Sequence, residues 1–369
     1  MDIQDLDFSY PLELIATEVK KDFKILFTKV NLKKPFQEIS KIELLNQFQP
    51  NDVLVINNTK VIKRRIFSNT EPKIEILFVK KITEKPISVT NNNLKSTNNL
   101  ETWEVLLPSK KMQIKDTLHL PGNVTLQLIK KSIPQLVEVN KTLNVEYFQK
   151  YGEMPLPPYI QKARDNRKNN KTDELHYQTA WAKHWGSCAA PTASLHFTQS
   201  DLEYLKEKRK VKIVELTLHV GLGTFLPIKV KNVLEHKMHK EYMHISASSL
   251  KDIVSAKKEN AKIWALGTTV TRALETWFLE KGKTAVLDTK EDFKDFITES
   301  ELFITPGFSF KVVDVLMTNF HQPQSTLLAM LMAFAGKFKV LEGYKWAIKR
   351  QFRLFSYGDL SIWDKEKNE

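Results

Sequence analysis

The chain has 369 residues, with 56 Lys and Arg against 43 Asp and Glu and a formal net charge of +13. That length exceeds one small core and suits about two domains. No apolar run is long enough for a membrane-spanning helix, and the single cysteine, Cys188, excludes an internal disulfide and a multi-cysteine zinc site. The positive surplus fits either a polyanionic partner or a solvated basic surface. The opening Met1-Asp2-Ile3-Gln4-Asp5 is acidic and lacks the apolar stretch of a secretory signal. A cytoplasmic protein without a membrane anchor is the expectation.

In chain order, Val53-Leu54-Val55-Ile56-Asn57 reads as a buried strand after the turn residues Pro50-Asn51-Asp52. Short alternating runs follow at Lys73–Val79, Thr102–Leu107, Val124–Ile129 and Gln135–Val139, the pattern of a small barrel or sandwich. Residues 82–100 are poor in apolar side chains and read as a long loop. Beyond residue 150 the pattern becomes mixed α/β. Val211–Leu218 and Lys262–Leu266 read as interior strands, and helices are predicted at 200–210, 248–260, 269–281, 325–335 and 341–352. Thr198 and Asp201 fit a capping box, Ser325 an N-cap, and Gly336 and Gly282 helix ends. Residues 282–300 read as a polar surface excursion. These features predict a mixed α/β main domain (a mixed sheet, α+β in character) over 1–60 and 150–369. A small all-β, barrel-like domain is inserted at 61–149.

Several segments carry possible chemistry. Tyr151–Ile160 holds three prolines in four positions and reads first as a rigid connector, second as a wall of a ligand site. The small residues from Gly186 to Ser194 let a backbone approach a ligand. Cys188 among Ala and Pro reads as a small buried residue before it reads as a nucleophile. Thr217–Phe225 ends a strand in Gly221-Leu222-Gly223, without the third glycine of a dinucleotide fingerprint or the lysine of a P-loop. His236, His239 and Glu241 suit proton transfer better than zinc, because their spacing is not that of a zincin. Gly267-Thr268-Thr269 places hydroxyls and free N–H groups at a helix start, where they can hold an anionic group. Arg272 and Glu275, three apart, fit a helix-surface pair.

In this order the segments resemble the S-adenosylmethionine:tRNA ribosyltransferase-isomerase family of queuosine biosynthesis. The matching stretches run from Tyr10-Pro11-Leu12-Glu13-Leu14-Ile15-Ala16 to Phe355-Ser356-Tyr357-Gly358-Asp359. The most specific are Pro155–Ile160, His176-Tyr177-Gln178-Thr179, Ala189-Ala190-Pro191-Thr192, Thr217–Phe225, His236-x-Met238-His239-x-Glu241, Gly267-Thr268-Thr269 and Asn319-Phe320-His321. The resemblance implies an α/β domain carrying a small β-barrel. It implies an enzyme that moves and isomerises the ribosyl group of S-adenosylmethionine onto 7-aminomethyl-7-deazaguanine at the tRNA wobble position. The product is epoxyqueuosine, with adenine and methionine released.

That chemistry needs a base at the ribose C5′, an acid for the leaving adenine and a neutral aminomethyl nitrogen. The resemblance nominates His196, His219, His236, His239, Glu241, His321 and Asp359 for catalysis. It nominates Tyr177, Gln178, Thr192, Gly221, Gly223, Thr224, Phe225, Gly267, Thr268, Thr269, Arg272, Asn319, Ser325 and Tyr357 for substrate. Basic runs at Lys60, Lys63, Arg64 and Arg65, and at Lys162, Arg164, Arg167 and Lys168, are candidates for anticodon-stem phosphates. No metal or cofactor is expected beyond S-adenosylmethionine as co-substrate, and a monomer is expected. Departures from the family pattern include Lys21-Asp22-Phe23-Lys24-Ile25, Thr59–Arg65, Ser194 at a glycine position, and Gln322 and Gln324 in His321–Ser325. They leave open a diverged relative that binds RNA or a nucleoside without this reaction. A methyltransferase is disfavoured because no glycine-rich Rossmann entry is present.

Overall fold

Val53–Asn57 is buried at all five positions, as a strand covered on both faces must be. In the computed structural model it pairs in parallel with Lys212–Leu218 on one side and Ile263–Leu266 on the other. Val315–Asn319 adds a fourth parallel strand beside Ile263–Leu266. Antiparallel partners extend this centre. Glu241–Ile245 and Phe296–Ser300 continue beyond Lys212–Leu218. At the other side Leu360–Asp364 runs antiparallel to Val315–Asn319 and parallel to Ile25–Thr28, and Phe36–Ile39 forms the edge. The result is a nine-stranded mixed sheet among the described residues, which are 1–28, 35–82, 100–164, 169, 172–221, 223, 228, 230–282 and 293–366.

The helices start where local chemistry satisfies their free N–H groups. Gln199–Arg209 opens on a capping box between Thr198 and Asp201, and Thr326–Ala335 opens on the Ser325 hydroxyl. Thr268–Trp277 starts directly from Gly267, whose φ of +99° lets the chain leave the preceding strand sharply. Gly336 ends one helix and begins the next, Lys337–Lys349, so this last helix starts earlier than the predicted 341. The helix predicted to 281 is α-helical only to Trp277; Phe278–Gly282 widens into a π turn. Pro158 occupies the first turn of a short helix, Pro158–Ala163, so the proline run is extended only as far as Pro157.

The chain divides into two compact units. One comprises Met1–Lys60, Pro157–Lys168 and Leu175–Glu369, and the other Val61–Leu156 and Asn169–Glu174. The second unit contains a six-stranded antiparallel sheet in the order Arg65–Phe67, Glu75–Ile82, Glu101–Leu106, Gln135–Val139, Val124–Lys130, Thr117–Leu120. Burial alternates along Val124–Lys130 and Gln135–Val139, as in strands with one face to a core. The Asn69 N–H donates to the His119 carbonyl at 2.7 Å, linking the two edges of this sheet into a barrel-like form. Phe78, Trp103 and Phe148 meet edge to face inside it, with ring centroids 5.4 to 5.7 Å apart.

The architecture is thus mixed α/β with a separate antiparallel barrel-like sheet. Strands Ile25–Thr28, Glu241–Ile245, Phe296–Ser300, Val315–Asn319 and Leu360–Asp364 were not among those expected from sequence. Phe296–Ser300 falls in the predicted surface excursion and is instead an edge strand. The predicted loop at 82–100 lies outside the described residues between 83 and 99, as does 283–292 of the excursion.

Candidate active site

Four parallel strands point their carboxyl ends the same way, and in such sheets ligands sit beyond those ends. Lys212–Leu218 leads to Val220 and Gly221, Ile263–Leu266 to Gly267–Thr269, and Val315–Asn319 to Phe320 and His321. Asn57, ending the central strand, ties its neighbours together. Its amide donates to the Leu218 carbonyl at 2.9 Å and to Thr269 Oγ1 at 3.3 Å. Beyond these ends lies a cavity of about 390 Å³ within the nine-stranded unit. Its walls come from Pro157–Tyr159, Tyr177, Ala189–Ala193, Val220, Gly223, Gly267–Thr269, Thr318–Leu327, Phe355 and Ser356.

Asn319 is the junction of the cavity floor. Its carbonyl oxygen accepts the Thr192 hydroxyl at 2.7 Å. Its amide donates to His196 Nε2 and to the Gly358 carbonyl, each at 3.2 Å. That geometry leaves the His196 proton on Nδ1. Burial, with help from Arg353, holds the His196 pKa down at about 3, so the ring stays neutral. His321 faces the cavity itself. Its Nε2 meets the Thr318 hydroxyl at 2.9 Å, and burial lowers its pKa to about 3. A neutral imidazole of such low basicity is a hydrogen-bonding wall rather than a proton acceptor. Tyr159 shares a short hydrogen bond with Ser356, and burial pushes its phenol up to about 12. Two helix starts, at Thr268 and Thr326, also border the cavity and present N–H groups that favour an anionic part of a ligand.

A narrow annex opens beside Gly223, Thr268, Thr269, Thr326 and Leu327, which it shares with the main cavity. His239, Glu241 and Arg272 line it. Glu241 and Arg272 form a buried ion pair, and the other Glu241 oxygen accepts the Gly221 N–H at 2.7 Å. Burial lowers the Arg272 pKa to about 10, which leaves it charged at neutral pH. Gly223 packs against the His239 ring; a Cβ there would sit 3.3 Å from Cδ2.

Of the residues expected from sequence, Tyr177, Thr192, Gly223, Gly267, Thr268, Thr269, Asn319, His321 and Ser325 line the main cavity, and His239, Glu241 and Arg272 the annex. Gly221 lines neither, and its N–H is bonded to the annex residue Glu241. Thr224 and Phe225 lie outside the described residues.

Others belong elsewhere. His219 is in a different, open hollow, with Nδ1 2.7 Å from the Thr59 hydroxyl. His236 packs on Phe303 rather than lining the annex. His196 supports Asn319 from below and does not reach the cavity. Asp359 accepts the N–H groups of Lys24 and Arg353 and the Arg353 guanidinium, so it fixes a turn instead of offering an acid. Tyr357 is buried against Tyr177, with ring centroids 5.8 Å apart. Gln178 is half-buried and outside the lining. Cys188 is buried and likewise outside it. Arg272 and Glu275 are not a surface pair: Glu275 is buried and accepts the backbone N–H groups of Lys311, Val312 and Val313.

The basic runs also need correcting. The Arg65 side chain is 1% exposed and is held by Glu75, Glu153 and Asn169, so it is not a phosphate contact. Arg64 donates to the Val79 carbonyl, Lys63 pairs with Glu174 at 2.6 Å, and Arg164 donates to the Thr17 carbonyl. Arg167 and Lys168 lie outside the described residues. Thr318, Gln322, Pro323 and Gln324 belong to the polar turn 318–326, a segment whose sequence reads as a binding loop, and they line the cavity; Pro157–Tyr159, read first as a connector, instead forms a cavity wall. Three prolines in four positions, which stiffen a wall, were the signal for the last.

A largely apolar cavity with a few convergent polar groups, and a charged annex beside it, lie beyond the carboxyl ends of parallel strands, the place where α/β proteins take small ligands. A family model described as "Queuosine biosynthesis protein" matches residues 3–362, and the chain belongs to that family. It is 38% identical to the S-adenosylmethionine:tRNA ribosyltransferase-isomerase of Rickettsia bellii, covering 98% of this chain and 99% of that one. The protein of the same name from Geobacter metallireducens is 39% identical, covering 97% and 98%. The crystal structure of S-adenosylmethionine tRNA ribosyltransferase from Thermotoga maritima superposes with a TM-score of 0.51 at 26% identity, covering 97% of this chain and 99% of that one.

Proposed function

We propose that this chain is an S-adenosylmethionine:tRNA ribosyltransferase-isomerase, acting in the cytoplasm as a monomer. The observation that carries the reading is convergence. Pro157–Tyr159, Tyr177, Ala189–Thr192, Gly223, Gly267–Thr269 and Asn319–His321 come from family-like stretches far apart in sequence, yet they wall one cavity. Relatives of the same length bearing that activity in their names support it.

S-adenosylmethionine lies in the main cavity, its carboxylate toward the helix starts at Thr268 and Thr326. The sulfonium acidifies the ribose C5′ protons. His239, at the annex, is the base best placed to take one; Glu241 is tied to Arg272 and Gly221 and orients the annex. His321, neutral in its buried site, offers the leaving adenine a hydrogen bond rather than a proton. The tRNA-borne 7-aminomethyl-7-deazaguanine enters from the solvent side, and its neutral amine forms a C–N bond to the ribosyl group. The glycosidic bond breaks to release adenine, the C5′–S bond breaks to release neutral methionine, and the proton lost by the amine goes to solvent. Incubation with S-adenosylmethionine labelled in the ribose and tRNA carrying the deazaguanine should place ribose label in tRNA. Label arriving only from the methyl group, or no transfer, would overturn the proposal.

A further inference from the structure

The hollow that holds His219 lies outside the cavity and takes no part in the chemistry above. Its composition is unusual for a protein surface. Trp185 is 37% exposed and Tyr242 is 39% exposed. The Tyr242 ring stacks on His219 with centroids 5.3 Å apart and planes 21° from parallel. The Lys60 ammonium sits 4.2 Å above the Trp185 ring centroid. Two half-exposed aromatic faces with a cation between solvent and ring form a surface on which a flat, anion-bearing group stacks.

The backbone beneath is held firmly. The Lys183 and His184 N–H groups both donate to the Asn58 carbonyl, at 2.8 and 3.2 Å, and the His219 N–H donates to the Tyr242 carbonyl at 2.9 Å. Gly186 is what lets His219 settle: a Cβ there would lie 2.4 Å from the imidazole. The acidic groups nearby are engaged. Glu215 is bound by Lys183 at 2.7 Å and by Asn58 at 3.0 Å, and Asp295 is bound by His244 at 2.9 Å. Lys60 is left facing the ring and the solvent, so the surface presents positive charge over exposed π faces.

We propose that this platform stacks an unpaired nucleobase of an RNA, with Lys60 against its phosphate. Every base offers a π face, while a duplex buries its faces in its own stack, so the platform selects single-stranded loop over stem. The inference rests on the reading of tRNA as substrate, and it assigns the loop a second contact apart from the cavity.

The test is binding of the full-length protein to an anticodon stem-loop hairpin and to a blunt duplex of the same stem sequence. Trp185→Leu should weaken hairpin binding about tenfold, within the range of one base–aromatic stack, and leave duplex binding unchanged. Trp185→Phe should restore most of the loss, which a merely structural role would not predict. Lys60→Gln should reduce the slope of log affinity against log salt by about one contact. Tyr242→Leu gives the same decision if Trp185→Leu does not fold. Unchanged hairpin binding in both aromatic variants, or equal losses for hairpin and duplex, would overturn the platform while leaving the transfer reaction intact. Conversely, wild-type protein that shows the hairpin preference and its loss in Trp185→Leu, yet transfers no ribose, would overturn the reaction and leave the platform standing.

Discussion

Each of the two units buries an arginine, and they surround it differently. In the antiparallel unit Arg65 sits among Glu75, Glu153 and Asn169. In the nine-stranded unit Arg272 meets the single carboxylate of Glu241, and both line the annex beside the cavity. A buried cation ringed by partners is scaffolding. One paired to a lone carboxylate at a hollow would, on the proposed function, feel any polar group that enters beside it. On that same reading, the difference separates an arginine that holds shape from one placed beside the substrate.

The sharpest way to break this contrast is Arg272→Met. It leaves Glu241 buried without its partner and should cost about 3–5 kcal/mol of stability. Ribosyl transfer should also vanish in the fraction that stays folded, measured by single-turnover assay. His239→Gln should lower kcat by roughly 100- to 10,000-fold, the usual scale for losing a general base, with little change in the affinity for S-adenosylmethionine by calorimetry. Arg65→Met should cost only about 2–3 kcal/mol in urea unfolding, since Glu75 and Glu153 remain partly in water, and should spare turnover per folded molecule. Were Arg65→Met to abolish turnover while leaving stability intact, the division of labour would be wrong.

Acid sharpens the comparison further. His196 and His321 have folded pKa values of about 3, below the ordinary value of 6.5. Between those limits the unfolded chain binds the protons and the folded chain does not, so stability falls as pH falls from 6.5. The expected slope is about 1.4 kcal/mol per pH unit for each histidine, read from urea midpoints at several pH values. His321→Asn should remove one share of it. The smallest effect is expected at Ser194, whose buried hydroxyl has no hydrogen-bond partner among the described residues. Ser194→Ala should change stability by no more than about 1 kcal/mol, toward stabilisation, by differential scanning calorimetry. Ser194 lies in a right-handed turn without positive φ, so the glycine common in the family is not a backbone requirement here.

Much of this was legible in the sequence, for physical reasons that also mark where legibility ends. Val53–Asn57 is a run of apolar residues after a turn, and its burial on both faces follows. Thr198, Ser325 and Gly336 announce helix boundaries through short-range chemistry. Glu241–Ile245 and Phe296–Ser300 were missed because their polar alternation resembles a loop until a neighbouring strand supplies the pairing. In the site, motif chemistry named the right segments but not their facing. His196, His219 and Asp359 stand beside cavity residues in sequence, yet their side chains serve Asn319, Thr59 and Arg353. Arg65 reads as part of a basic surface run, and only the fold reveals the carboxylates around it.

The place of Leu360–Asp364 has a consequence for how the molecule is made. Synthesised long after Ile25–Thr28, it inserts between that strand and Val315–Asn319. On the ribosome the first strands must therefore wait, exposed along one side, for a neighbour not yet translated. A message cut short before that strand yields a chain whose opening strands pair with each other but lack their link to the rest of the sheet. Because Asn319 also leans on the Gly358 carbonyl, such a chain would lack a finished cavity floor as well. Completion of the sheet and completion of the site are one event.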